Sequence, residues 1–372
     1  MENKLEGKKI VLSADWLDKY GGAERVISAL NEVFDFSSCF TLVNLMKEED
    51  IKKTFVGKKV KVINSNLQFF GFSFRKLILL FPFFVNNLNK KARKSKADLI
   101  ISSSFATAKS LKISNAFHIS YFQARNMKYI WDEVDLYFNS YRKIFRFILP
   151  LLRKYDIKQA SNPNVIIVNS IFVQQWVKNI YGRDSIVIYP PVDVDYFKPM
   201  DIKEEYYVTV GRIVEYKRFD TIVEAFNKNK KRLVIVGSGS MLTKLKKKAS
   251  SNIEFTGFLD KSQVYEKISK AKAFIYAGVE DFGISLVEAQ ACGTPVIAYD
   301  KAGAKEIVID GKTGVLFKEQ TANCINSSID KFENNPKPFS SNEARENSLR
   351  FSKDRFKKEI SDFVNMYFKT EL

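Results

Sequence analysis

Short apolar runs recur along the chain, separated by stretches in which apolar positions return every three or four residues. KKIVLSA, VKVIN, DLIISSS, AFHISYF, VIIVNS and SIVIYP read as buried strands. AERVISALNEVF and SIFVQQWVKNIY have the helical period between them. After the proline-marked stretch YPPVDVDYFKP (189–199) the alternation restarts with YYVTVG, RLVIVG, IEFTG, AFIYAG, PVIAY and GVLF. Strand alternating with helix predicts parallel sheets covered on both faces, and the restart predicts two of them. The expected class is α/β, with two Rossmann-like doubly wound domains facing across a cleft. The expected divisions are 1–192, 193–353 and a last segment 354–372, whose helix DRFKKEISDFVNMYFK could pack back onto the first domain. No sequence repeat links the two halves. Ligands of such sheets bind beyond the carboxyl ends of the strands, so a shared ligand is expected between the domains.

The clearest punctuation falls in VEDFGISLVEAQACGTPVIAYD (279–300). A loop of Glu280, Asp281, Phe282 and Gly283 feeds an apolar helix that stops at Gly293–Thr294–Pro295, and PVIAYD follows as a strand. A loop entering a helix N-terminus offers backbone N–H groups and a positive dipole end, which suit an anion. Taken alone, Glu280 and Glu288 are ordinary solvated carboxylates.

Charge narrows the partners. The chain has 372 residues, 45% of them hydrophobic, and a formal net charge of +18. Residues 1–190 carry 30 Lys/Arg against 16 Asp/Glu, and the remainder 30 against 26. A basic first half suits nucleic acid, an anionic membrane or a phosphorylated substrate. Without a zinc finger, basic zipper or RNP-type aromatic motif, nucleic acid is the weakest of the three. Cys39, Cys292 and Cys324 are unclustered and read as reduced thiols of a cytoplasmic protein. The N-terminus runs straight into a strand, with no apolar signal core.

Two basic segments are unusually apolar: LQFFGFSFRKLILLFPFFVNNLNKKARKSK (67–96) and YRKIFRFILPLLRKY (141–155). The longest unbroken apolar run in the first, LILLFPFFV, is far short of the ~20 residues needed to cross a bilayer. Apolar residues mixed with Lys and Arg suit an element lying in a membrane interface. They equally suit a helical hairpin whose aromatics form core, and the sequence leaves both readings open.

Several strand ends carry residues fit for a ligand. Gly21 and Gly22 follow the first strand and allow a tight turn with close approach of backbone to a ligand. Gly237 and Gly239 follow a later one. In VGRIVEYKRFD (210–220), Arg212 and Lys217 leave a buried strand and could clamp a diphosphate through charge-assisted bonds. Each of these features alone has an ordinary reading, as a tight turn or a solvated surface charge.

Together, VGRIVEYKRFD, VEDFGISLVEA, GTPVIAYDKAG and GKTGVLF, in that order and spacing, resemble the donor-binding half of glycosyltransferase family 4. Members are retaining enzymes of the two-domain GT-B fold that use nucleotide-sugar donors. The first half, through ADWLDKYGGAERV, CFTLV, ADLIISSSFATAKS and the region from His118 to Asp132, is similar to bacterial O-antigen mannosyltransferases that use GDP-mannose. The resemblance covers nearly the whole chain. It implies an acceptor-side domain at 1–192 and a donor domain at 193–353. It places the E-x7-E pattern on Glu280 and Glu288, with Glu288 holding ribose hydroxyls and Glu280 sugar hydroxyls. Arg212 and Lys217 would neutralise the leaving diphosphate; Phe282, Gly283 and Ile284 would offer backbone amides; Gly257, Phe258 and Leu259 would line the base.

One stretch departs from that pattern. The mannosyltransferase group has Y-C-H-T-P before an R-Y-x-W segment, whereas HISYFQARNMKYIWD puts Gln123 at the place of that histidine. Glutamine hydrogen-bonds a hydroxyl but takes no proton near neutrality. His118, the sole histidine, sits in a strand-like run and reads as a satisfied strand residue. The expected chemistry is transfer of a hexose to a growing, lipid-linked surface glycan, with no cofactor beyond the nucleotide-sugar co-substrate. No metal is expected, since the one D-x-D, Asp193–Asp195, lies in the linker. Contact with an anionic membrane at the inner face of the plasma membrane is part of the same expectation, and nucleic acid is not. A catalytically silent nucleotide-sugar binder of the same fold, or a transferase of another UDP- or dTDP-linked sugar, is the alternative.

Overall fold

A computed structural model describes residues 7–135, 142–336 and 339–370. The chain divides into two compact units: Met1–Pro191 with Phe356–Leu372, and Val192–Arg355. The first expected boundary, after residue 192, falls one residue beyond this division.

In the first unit the strands are β1 (Ile10–Ala14), β2 (Phe36–Thr41), β3 (Lys61–Asn64), β4 (Leu99–Ser104), β5 (Phe117–Phe122), β6 (Val165–Val168) and β7 (Ile186–Val187). They form one parallel sheet in the order β3-β2-β1-β4-β5-β6-β7 among the described residues. Leu12 lies opposite Cys39 on one side and Ile101 on the other. β2 is the strand that the apolar pattern missed. Its sequence, FSSCFT, hides a buried central strand behind small polar residues, and Ser37 satisfies its hydroxyl by donating to the Ile10 carbonyl at 3.0 Å.

The second unit repeats the plan with β8 (Glu204–Val210), β9 (Leu233–Val236), β10 (Ile253–Gly257), β11 (Ala271–Tyr276), β12 (Val296–Tyr299) and β13 (Gly314–Phe317). Their order is β10-β9-β8-β11-β12-β13, again with parallel pairs. The expected doubly wound α/β class is therefore present twice.

Helix limits follow local chemistry. Ser170 accepts the Val173 N–H at 3.1 Å to open the Ile171–Tyr181 helix, and Gly182, at φ 65°, ends it. Asp260 and Gln263 form a reciprocal capping box ahead of Lys261–Ser269. The Lys353–Thr370 helix starts in the second unit. From Phe356 on it belongs to the first, where Phe356, Ile360, Phe363 and Val364 join the core under β1, β4 and β5. Phe356 meets Tyr121 edge-on at 5.6 Å.

A buried polar network ties the Arg142–Ala160 helix to the first unit. The Lys109 ammonium and Asp156 carboxylate pair at 2.7 Å with both side chains fully buried. Asp156 also accepts the Trp131 indole N–H at 2.8 Å and the Tyr181 hydroxyl at 2.7 Å, and Lys109 reaches Asn126 at 3.3 Å. Such a pair offsets the cost of desolvating two ions only because its other bonding positions are filled. Removing one partner should be expensive. Lys109→Met is expected to lower stability by about 3–5 kcal/mol in urea denaturation, because it strands a buried carboxylate. A loss under about 1 kcal/mol would place the pair in water instead.

Candidate active site

In the second unit the strand order reverses between β8 and β11, since successive strands run outward from β8 on one side and from β11 on the other. Loops leaving the carboxyl ends of those two strands diverge and expose the crevice where ligands of such sheets bind. Arg212 and Lys217 leave β8, and Glu280 leaves β11. Glycine presses each of these loops onto the loop of its outer neighbour, β9 or β12. A Cβ at Gly237 would lie 1.9 Å from the Gly211 carbonyl oxygen, and one at Gly303 would lie 1.7 Å from that of Phe282. No side chain fits at either place. Backbone bonds complete the contact: Gly211 N–H to Val236, Gly237 N–H to Gly257 and Gly303 N–H to Glu280, at 3.0, 2.8 and 3.1 Å.

The result brings most of the expected donor residues into one frame. Lys217 Nζ pairs with Glu280 Oε1 at 2.7 Å, with side chains only 11% and 25% exposed. Arg212 is exposed and donates to the Tyr216 hydroxyl at 3.0 Å. Gly283, at φ 110°, precedes the Ile284–Ala291 helix, whose first turn directs N–H groups outward from the same loop. Glu288, one turn later on that helix, is buried, as is Phe282. Gly257 ends β10 at φ 77°, Leu259 is half-buried, and the Phe258 ring projects into solvent. Tyr276 was not expected. Burial first, then the neighbouring Glu280, push its phenol well above the ordinary range, so it stays a neutral hydroxyl beside the Lys217–Glu280 pair. Its place as the last residue of the AFIYAG strand was the only sequence signal.

Asp193 and Asp195 are each held by a cation, Lys261 and Arg345 respectively. Among the described residues no group of three or more His, Cys, Asp or Glu is gathered as a metal site.

The first unit reverses its strand order between β1 and β4. Gly21 caps the Gly22–Val33 helix there in an extended conformation open to any residue. What a side chain at Gly21 would crowd is Glu24, whose Oε2 would stand 3.3 Å from the added Cβ. Glu24 is the third residue of the helix, where a carboxylate commonly folds back on the cap amide. It is only 6% exposed. Burial lifts its carboxyl to about 7, opposed by the N–H groups of Glu24 and Gly21 and reinforced by Asp18. The acidic residue in GGAERV was the missed signal.

Gln123, at the end of β5, turns its amide onto the same turn. It donates to the Ala23 carbonyl at 3.1 Å and to the Ser103 hydroxyl, bridging β4, β5 and the start of the helix. His118 is buried in β5 with Nε2 2.8 Å from the Ser102 hydroxyl, and burial drives it down to about 3. It is a neutral core residue, as its strand position suggested.

Residues 196–350 match the family model of Glycosyl transferases group 1. The matched segment contains the β8–β11 crevice and the residues around it. The chain is 27% identical over 214 residues to a GDP-mannose-dependent alpha-(1-6)-phosphatidylinositol monomannoside mannosyltransferase of Mycolicibacterium smegmatis, covering 49% of this chain and 56% of that one. The chain spans about half the length of the curated relatives it matches. In three dimensions it is similar to HepE of Anabaena, whose crystal structure holds UDP and glucose: TM-score 0.74, 17% identity, over 96% and 99% of the two chains. Sucrose-phosphate synthase from Thermosynechococcus elongatus gives a TM-score of 0.74 at 17% identity, over 98% and 100%. These likenesses show the fold, GT-B with its two Rossmann-like units.

Glu24 makes the first unit's stability depend on pH. A carboxyl whose folded value of about 7 exceeds its unfolded value near 4.5 holds its proton more tightly when folded. The folded state therefore gains below the unfolded value, and loses as pH rises toward 7 and the buried group must ionise. The loss is on the order of 3 kcal/mol when complete. Glu24→Gln cannot ionise, so it should become more stable relative to the unsubstituted chain between pH 5 and 8. Denaturation midpoints across that range measure this; a constant difference would mean Glu24 ionises freely.

Proposed function

We propose that the protein is a retaining glycosyltransferase that moves a hexose, mannose in the first instance, from a nucleoside diphosphate onto a growing lipid-linked glycan. The observation that carries this is the Lys217–Glu280 pair at the β8–β11 reversal, with Arg212 on the same loop as Lys217, inside the segment matching Glycosyl transferases group 1. The relative that names GDP-mannose supports a GDP-mannose donor, and the neighbour holding UDP supports the wider nucleotide-sugar class.

In this reading the diphosphate lies against Arg212, Lys217 and the N–H groups of the Phe282–Ile284 turn. Lys217 has three donor hydrogens, so it can keep Glu280 oriented with one and meet a phosphate oxygen with another. Glu280, held by that bond, accepts from hydroxyls of the sugar. Glu288 takes the ribose hydroxyls, and the Gly257–Leu259 turn borders the base. As the bond from the sugar's anomeric carbon to phosphate oxygen breaks, negative charge gathers on the diphosphate where the two cations already stand. Stabilisation fixed in advance of the reaction is commonly the largest catalytic contribution. The acceptor hydroxyl attacks from the side the diphosphate leaves, and its proton passes to the departing phosphate oxygen. Gln123 requires no proton transfer in this scheme: its amide orients the turn that carries Gly21 and Gly22. None of these steps calls for a metal ion.

Slow hydrolysis of a panel of nucleotide sugars tests the donor without an acceptor, and signal from GDP-mannose alone is the expected result. Turnover confined to UDP- or dTDP-sugars would replace mannose, and binding without any turnover would make the protein a silent binder. Arg212→Ala and Lys217→Ala should each lower kcat far more than they raise KM for the donor, because the cations act on charge that develops only as the bond breaks. A change in KM alone would reject that role. Glu288→Gln should weaken nucleoside diphosphate binding by about ten- to a hundredfold in calorimetry, from the loss of a charged acceptor. Unchanged affinity would remove Glu288 from the site.

A further inference from the structure

Among the described residues, the two basic, apolar segments of the first unit each leave part of their apolar side chains open to solvent. Asn66–Leu80 is a 3-10 segment broken at Gly71, with φ 48°, and at Leu77, and it runs into the Phe81–Ala92 helix. By length and composition alone Asn66–Ser95 could cross a membrane, yet the breaks preclude one continuous helix. Half of its apolar side chains are also committed elsewhere. Leu67, Phe74, Phe81, Phe84, Val85 and Leu88 lie in the core beneath β1 and β4. Leu77 and Ile78 pack against it in part, and the remaining large apolar side chains are exposed. Phe69 is 87% exposed, Phe72 78% and Phe83 69%, with Phe70, Leu79 and Leu80 beside them in sequence.

The Arg142–Ala160 helix adds a second exposed row. Leu149 and Leu152 face inward, while Phe147 is 88% exposed and Leu151 68%. Ile78 and Trp16 belong to both apolar clusters, the one under the 66–92 segment and the one under this helix, so the two segments adjoin. Fixing two such rows of aromatic and aliphatic side chains in water is costly unless something covers them.

Charge decides what covers them. Residues 66–96 contain seven Lys or Arg and no Asp or Glu. All seven (Arg75, Lys76, Lys90, Lys91, Arg93, Lys94 and Lys96) are exposed. On the second helix Lys154 and Lys158 are exposed, and the sole carboxylate, Asp156, is spent on Lys109. A second copy of this chain would bring like charges together. An anionic lipid surface accepts both features at once, apolar rings entering between the chains and ammonium groups meeting headgroup phosphates. We propose that the first unit docks on anionic bilayers through Phe69, Phe72, Phe83, Phe147 and Leu151, aided by the exposed cations of the same segments, lying in the interface without spanning it. Docking needs no sugar donor, so it stands or falls separately from the transfer reaction.

Co-sedimentation of the full chain with vesicles tests the proposal. Vesicles of phosphatidylcholine mixed with phosphatidylglycerol should bind the protein at least tenfold more tightly than phosphatidylcholine alone, and raised salt should release it. The pair Phe69→Ser with Phe72→Ser removes exposed rings that the core does not use. It should weaken binding by about tenfold or more while the melting temperature stays put. Lys90→Glu with Lys94→Glu should act in the same direction on mixed vesicles, with little effect on neutral ones. Equal binding to both vesicle types, no binding to either, or full binding by the Phe69/Phe72 pair would overturn the proposal. So would concentration-dependent self-association that buries these rings and leaves vesicles unbound.

Discussion

A parallel strand cannot be reached by a hairpin; the chain must cross over one face of the sheet, and that crossover is right-handed. Covering both faces therefore forces the winding to reverse somewhere. At the reversal two neighbouring strands send their loops apart. In the second unit this happens between β8 and β11, in the first between β1 and β4. Arg212, Lys217 and the loop from Glu280 to Ile284 depend on that constraint, because it leaves a crevice at the carboxyl edge that no crossover fills.

How tightly the loops are drawn together is a matter of three glycines. A Cβ at Gly237, Gly303 or Gly278 would stand 1.9, 1.7 or 3.0 Å from the backbone of Gly211, Phe282 or Lys217 respectively. The last of these, between the β11 and β8 loops, accompanies the Lys217–Glu280 pair, with Tyr276 a neutral hydroxyl beside it. The pair is two-thirds or more sheltered from water on either side, so its charges are weakly screened. The same cations would be worth little on an open surface.

The first unit uses buried charge differently. Asp15 is sunk in the fold and accepts the N–H groups of Phe105, Ala106, Thr107 and Ala108, tying the end of β1 to the loop after β4. Lys109, next in that loop, grips Asp156 of the long basic helix. Gln123 fastens the end of β5 to the Gly22 turn. These links join the edge that carries the glycine turn, and the helix that displays Phe147 and Leu151, to the loop after β4 and the end of β5 by polar contacts.

The α/β class, the two-part division and nearly every strand were legible in the sequence. Buried parallel strands are continuous apolar runs, and proline and glycine mark where they stop. β2 was not legible, because Ser37 and Ser38 break the apolar run and only its partners on both sides make it a central strand. Arg212 and Lys217 could be named from their place after a buried strand, and Glu280 and Glu288 from the resemblance to glycosyltransferase family 4. Which of them touch could not, since residues 217 and 280 come together only through the reversal of the sheet. Glu24 and Tyr276 stayed hidden for another reason: a carboxyl or phenol owes its proton affinity to burial, and burial is a property of neighbours far away in sequence. The basic aromatic segments show the same limit. Their composition suited a core or a membrane equally, and only the packed fold decided which rings had a core left to enter.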